Sequence, residues 1–142
     1  MLLRAGSIFA LCACLVFGAF SHASEVIVHS SVTEQVLSKQ RLRLIFSQRL
    51  THWPDGQPIK VVVFDAASEE HQMFCEAKLG LLPFQLQRNW DRLIYSGRNS
   101  APVFVSNAQQ MIRAVSSTRG AIGYVPQSFM LEGEIEGVNV IE

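Results

Sequence analysis

The polar and apolar positions change period repeatedly along residues 24–142, and each change predicts an element. Glu25-Val-Ile-Val-His29 is a short apolar run closed by Ser30 and Ser31, which predicts a strand. In Leu37-Ser-Lys-Gln-Arg-Leu-Arg-Leu-Ile-Phe46 the positions Leu37, Leu42, Ile45 and Phe46 share one face, with Lys39, Gln40 and Arg43 outward. That is helical spacing, with Ser38 as the N-cap. Trp53-Pro-Asp-Gly56 carries turn chemistry. Ile59 to Phe64 is β-branched and nearly unbroken in apolarity, which predicts an interior strand covered on both faces. Ser68-Glu-Glu-His71 opens the next helix, with a capping serine and two acids in the first turn, and Gly80 marks its end. Pro83 suits the first turn of another helix that continues through Trp90 and Leu93.

After the loop from Ser96 to Pro102, Phe104 and Val105 lead into Ser106-Asn-Ala-Gln109, a capping-box pattern that starts a helix reaching about Ser117. Arg119-Gly-Ala-Ile-Gly-Tyr-Val125 reads as a helix stop at Gly120 followed at once by a strand. A last strand runs from Val138 to Ile141. Strands and helices alternate, so the fold class is α/β: a single open sheet with helices on both faces.

The first residues break from this pattern. Met1-Leu-Leu-Arg4 is a short positive segment, Ile8 to Phe20 is apolar and uncharged, and Ser21-His-Ala23 sets small residues at the two positions a signal peptidase reads. This predicts a secretory signal peptide over residues 1–23 and a periplasmic address. The apolar run falls short of the roughly 20 residues that span a bilayer, so no stable membrane span is expected after cleavage. A lipoprotein reading of Leu11-Cys-Ala-Cys14 would place the cysteine unusually early. Residues 24–142 are the right size for one domain.

Composition removes several function classes. The formal net charge is zero, which argues against electrostatic nucleic-acid binding, although a local basic pocket stays compatible with it. Beyond Ala23 one cysteine remains, Cys75, so no internal disulfide forms, and its apolar surroundings suit an inert buried thiol. His29, His52 and His71 lack ligand spacing, so no metal is expected. No nucleophile motif or glycine-rich phosphate loop occurs, which argues against an enzyme and against a cofactor. Trp53 and Trp90 suit packing between helix and sheet better than a ligand cleft.

Several segments in order resemble the second lobe of the periplasmic phosphate-binding protein of ABC transporters, and its short single-lobe relatives still more. They are Leu42 to Phe46 with Trp53-Pro-Asp-Gly56, Val61-Val-Val-Phe64, Asn89 to Arg98, and Gly120-Ala-Ile-Gly-Tyr-Val125. The resemblance implies a non-catalytic binding module that takes phosphate or another small anion for ABC-type uptake. It places the anion at the loop after the central strand, with Ser68 and His71, and at the turn Ser96, Gly97 and Arg98. A lone lobe cannot close around a ligand, so a second copy or an envelope protein is the expected partner. The chain departs from the family loop at Phe64, where an arginine stands, at Ala66, where an acid stands, and at Glu69 and Glu70. Those departures carry the alternative: an envelope protein-interaction or signalling module that has lost phosphate binding.

Overall fold

A computed structural model describes residues 23–98, 101–130 and 135–142. The predicted leader, apart from Ala23, lies outside the described residues. Strand β1 spans Ser24–His29, helix α1 Lys39–Phe46, strand β2 Lys60–Phe64 and helix α2 Glu69–Phe74. A π-helical turn over Cys75–Leu79 continues α2. Helix α3 (Pro83–Tyr95), strand β3 (Val103–Val105), helix α4 (Ala108–Ser117), strand β4 (Ala121–Pro126), helix α5 (Gln127–Met130) and strand β5 (Val138–Ile141) follow. The strands form one sheet in the order β3-β2-β4-β1-β5. Strand β2 runs parallel to both β3 and β4, while β1 runs antiparallel to β4 and β5.

Helices cover both faces, as the pattern predicted, and β4 shows why. Its residues alternate between faces. Gly123 points toward α4, where an added Cβ would meet Met111 Sδ at 2.5 Å and Val115 Cγ2 at 3.1 Å. Tyr124 points the other way, into the rings of Phe46 on α1 and Phe74 on α2. The expected interior strand is confirmed in the burial of Val61, Val62, Val63 and Phe64. Trp53 and Trp90 are buried in the packing, each with its indole N–H donating to a backbone carbonyl, that of Gly120 at 3.0 Å and that of Phe46 at 2.7 Å.

Local capping explains most element starts. Ser38 Oγ accepts from Arg41 N–H at 3.2 Å and Ser68 Oγ from His71 N–H at 3.2 Å, as read from the sequence. Helix α3 starts on Pro83, with Gln85 Oε1 accepting from Leu82 N–H at 2.8 Å. The cap of α4 falls one residue later than expected. Asn107, not Ser106, accepts from Gln110 N–H at 2.9 Å, and Gln110, not Gln109, reaches back to Ser106 N–H at 2.9 Å. Asparagine caps as well as serine does, and the shift keeps Ser106 free to leave the strand.

Gly120 also plays a different part from the helix stop expected of it. Helix α4 ends at Ser117 with Thr118 as its cap, and Ala121 N–H then bonds Thr118 C=O at 3.1 Å. Gly120 is the left-handed residue of that turn, with φ of 75°. A Cβ there would run into the carbonyl oxygen of Pro58. The Gly120 carbonyl accepts from Trp53 Nε1 and from Lys60 N–H at 3.2 Å, so this turn fastens the loop ahead of β2 to the start of β4.

Gly120→Ala combines a left-handed backbone cost of about 1–2 kcal/mol with displacement of a main-chain carbonyl, and is expected to cost roughly 3 kcal/mol or more. Gly123→Ala meets the movable end of Met111 and is expected to cost about 1–3 kcal/mol. Urea unfolding midpoints of the two variants check that order.

Candidate functional site

The connections out of β2 and β4 diverge. From β2 the chain passes through α2 and α3 to β3 on one side; from β4 it passes through α5 to β5, beyond β1 on the other. Neighbouring parallel strands with diverging exits make a crevice at their carboxyl ends, which is where open α/β sheets bind ligands. Here that crevice is bordered by the loop from Asp65 to Ser68. Asp65 N–H donates to Val105 C=O at 3.0 Å, which ties the β2 exit to the β3 exit. Because β2 and β3 are parallel and paired at Phe64 and Val105, α2 and α4 both begin at this edge. Ser68 and Asn107 cap them by accepting from their third N–H groups. The N–H groups of Glu69, Glu70, Ala108 and Gln109 have no hydrogen-bond partner among the described residues. Such groups and the helix dipole attract anions.

The five residues predicted for anion binding separate into two groups. Ser68 stands half-buried at the α2 end, its Oγ an acceptor whose own hydrogen stays available. His71 lies behind it and is only 1% exposed. Ser96, Gly97 and Arg98 form the turn that follows α3, on the connection that leads to the opposite, amino-terminal end of β3. Their N–H groups close the helix: Ser96 to Arg92 C=O at 3.1 Å, Gly97 to Ile94 C=O at 3.0 Å, Arg98 to Leu93 C=O at 3.1 Å. The Ser96 hydroxyl donates to Leu93 C=O at 2.9 Å. The exposed Arg98 guanidinium is therefore the group this turn can offer a ligand. No hydrogen bond or ion pair joins the two groups among the described residues.

His71 belongs to a buried polar chain that the sequence did not announce. Phe64 N–H donates to the Tyr124 hydroxyl at 3.2 Å, and that hydroxyl lies 2.7 Å from His71 Nδ1. When the Tyr124 hydroxyl donates to Nδ1, the imidazole carries its proton on Nε2. Nε2 lies 3.6 Å from Cys75 Sγ, one turn along the helix. Burial lowers the pKa of His71, keeping it neutral. Burial, with Glu76 adding to it, pushes the Cys75 thiol up to about 12, in keeping with the inert thiol expected. Burial likewise raises the tyrosine, against the opposing bond from Phe64 N–H. Only the i, i+4 spacing of His71 and Cys75 is visible in the sequence; Tyr124 is too distant along the chain to be paired with them by pattern.

A hollow of about 1190 Å³ is lined by none of the five predicted residues. It lies between the segment after β1 and β5 and is bordered by Met130 and Ile135, which flank residues 131–134.

Two outcomes test this cluster. Tyr124→Phe leaves Phe64 N–H and His71 Nδ1 without their partner and is expected to cost roughly 1–3 kcal/mol in urea unfolding. The His71 effect on pH follows from its lowered pKa. The unfolded chain, with His near 6.5, binds more protons than the folded chain below that pH. Stability from this group is complete above 6.5 and is lost as pH falls toward the folded pKa, by at most about 1.4 kcal/mol per pH unit. Urea midpoints between pH 7.5 and 5.5 are expected to fall in the wild type and less steeply in His71→Gln. Parallel slopes would refute the assignment.

No protein-family model matches the sequence, and neither does any curated protein. Solved structures do match it. A candidate phosphate ABC transporter substrate-binding protein from Clostridium perfringens, with bound phosphate, superposes with a TM-score of 0.66 at 18% identity, over 84% of this chain and 44% of that one. An ABC-type phosphate transport receptor from Vibrio cholerae gives 0.62 at 18% identity, over 84% and 45%. PstS from Borrelia burgdorferi gives 0.62 at 14% identity, over 84% and 46%. The chain spans less than half the length of each, and over that part it has the fold of phosphate ABC transporter substrate-binding proteins.

Proposed function

We propose that this chain is a non-catalytic solute-binding module, exported to the periplasm by residues 1–23, that holds a small oxyanion such as phosphate for ABC-type uptake. The observation that carries this reading is the pair of capped helix starts, α2 and α4, at the carboxyl-end edge of β2 and β3. The shared fold supports it. Each helix end contributes about half a positive charge and N–H donors. Ser68 adds a hydroxyl, and His71 supports that turn from the interior. Glu69 and Glu70 are exposed beside these donors. A protonated oxyanion can donate to a carboxylate there, whereas a fully ionised one is repelled. Phosphate is therefore favoured over sulfate. Arg98, on the connection to the opposite end of β3, lies outside this crevice.

The described lobe covers a ligand from one side, and a second copy or an envelope partner would complete the enclosure. Calorimetry on residues 24–142 tests the proposal. Phosphate is expected to bind at least tenfold more tightly than sulfate at pH 7, Ser68→Ala to weaken it about tenfold, and Arg98→Ala, at the other end of β3, to change it less than twofold. No heat and no thermal shift at millimolar phosphate would sink this reading.

A second reading has its own support. Glu69 and Glu70 crowd the α2 end, and Val103 and Phe104 are exposed on the edge strand β3. These features suit an envelope protein-interaction module without a ligand. Recovery of a complex with an envelope protein, unaffected by phosphate, would favour it over the first.

A further inference from the structure

Helices α1 and α3 enclose a groove of about 440 Å³ that is distinct from the crevice described above. Gln40, Arg43, Leu44 and Ser47 line it from α1, and Gln85, Arg88, Asn89 and Arg92 from α3. Each set follows the i, i+3, i+4, i+7 spacing of a single helix face. Arg49 stands at one end and Phe84 at the other wall. Four of the chain's twelve basic residues thus line one groove, and no carboxylate does. Arg43 is held in place, donating through Nε to Leu79 C=O and through Nη2 to Gly80 C=O at 3.2 Å. Arg49, Arg88 and Arg92 have no side-chain partner among the described residues. Asp91 accepts from Gln87 at 2.8 Å and Glu76 from Gln72 at 3.1 Å, and neither forms an ion pair with these arginines among the described residues. Leu44, Leu81 and Leu86 add apolar wall, and Phe84 is 55% exposed at the rim.

Convergent guanidinium groups bind phosphate oxygens in pairs, and a wall of leucine with an exposed ring binds an apolar body. We propose that this groove is a second anion site, which takes a phosphate group carried on an apolar body. The arginines hold the phosphate, and Phe84 with the leucines covers the body. The site does not depend on the reading of the Ser68 crevice.

Calorimetry with phenyl phosphate on residues 24–142 tests it, beside sedimentation with phosphatidylcholine vesicles with or without phosphatidylglycerol. Phenyl phosphate is expected to bind, and Arg88→Gln/Arg92→Gln to weaken it at least tenfold. The distant Arg113→Gln is expected to change it less than twofold, with circular dichroism melts confirming that every variant folds. Vesicle binding that requires phosphatidylglycerol and is lost in the double variant supports the site with a lipid headgroup as source. Binding of phenyl phosphate without vesicles supports it with a free organic phosphate. If neither probe binds, or if the folded double variant binds as the wild type does, the proposal is overturned.

Discussion

The Tyr124 hydroxyl is the contact on which the arrangement of this lobe depends. Tyr124 sits on β4, the middle strand, and its ring stacks on Phe74 at 3.7 Å and meets Phe46 and Phe64 edge-on. A ring alone would give area and no direction. The oxygen supplies direction by accepting from the last residue of β2 and meeting the imidazole of α2. One atom therefore fixes the height at which β2 ends and the depth at which α2 begins. The crevice above them inherits its shape from that atom. An unpaired polar group in so dry a place is costly, so the geometry is held by the penalty for breaking it as well as by packing.

Charge in this chain is sorted rather than abundant. The formal sum is zero, yet Glu69 and Glu70 meet at the start of α2, while arginines gather between α1 and α3. At physiological salt an exposed charge is felt over about 8 Å, so a ligand responds to the charges beside it rather than to the sum. Overall charge therefore says little about what the protein attracts.

Much of the fold was legible in short stretches, because caps and strand patterns act over a few residues. Ser38, Ser68 and Pro83 each started the helix that their chemistry predicted. Where two cap residues adjoined, as at Ser106 and Asn107, pattern alone could not choose between them, and the geometry favoured the second. Gly120 was rightly marked as special, but its reason lay in Pro58 and Trp53, more than sixty positions away. The candidate site was less legible for the same cause. Ser68 and Arg98 read alike as loop donors, and only topology assigns one to the strand exits and the other to a helix end. The paired helix faces behind the arginine groove were visible one at a time, and their meeting was not.

The turn at Gly120 also bears on how such a sequence can drift. Its joining group is a backbone carbonyl, which every amino acid carries, so no exchange of side chain at that position deletes the acceptor. What the position requires is an absence, the missing β-carbon beside Pro58. Its two donors differ: Lys60 contributes a main-chain N–H that any residue but proline supplies, whereas the Trp53 indole is a side-chain donor. Tolerance to change is therefore distributed unevenly around this joint. It is wide at the first residue of β2 and narrow at Trp53 and Gly120, where a side-chain donor and a missing β-carbon have no ready substitute.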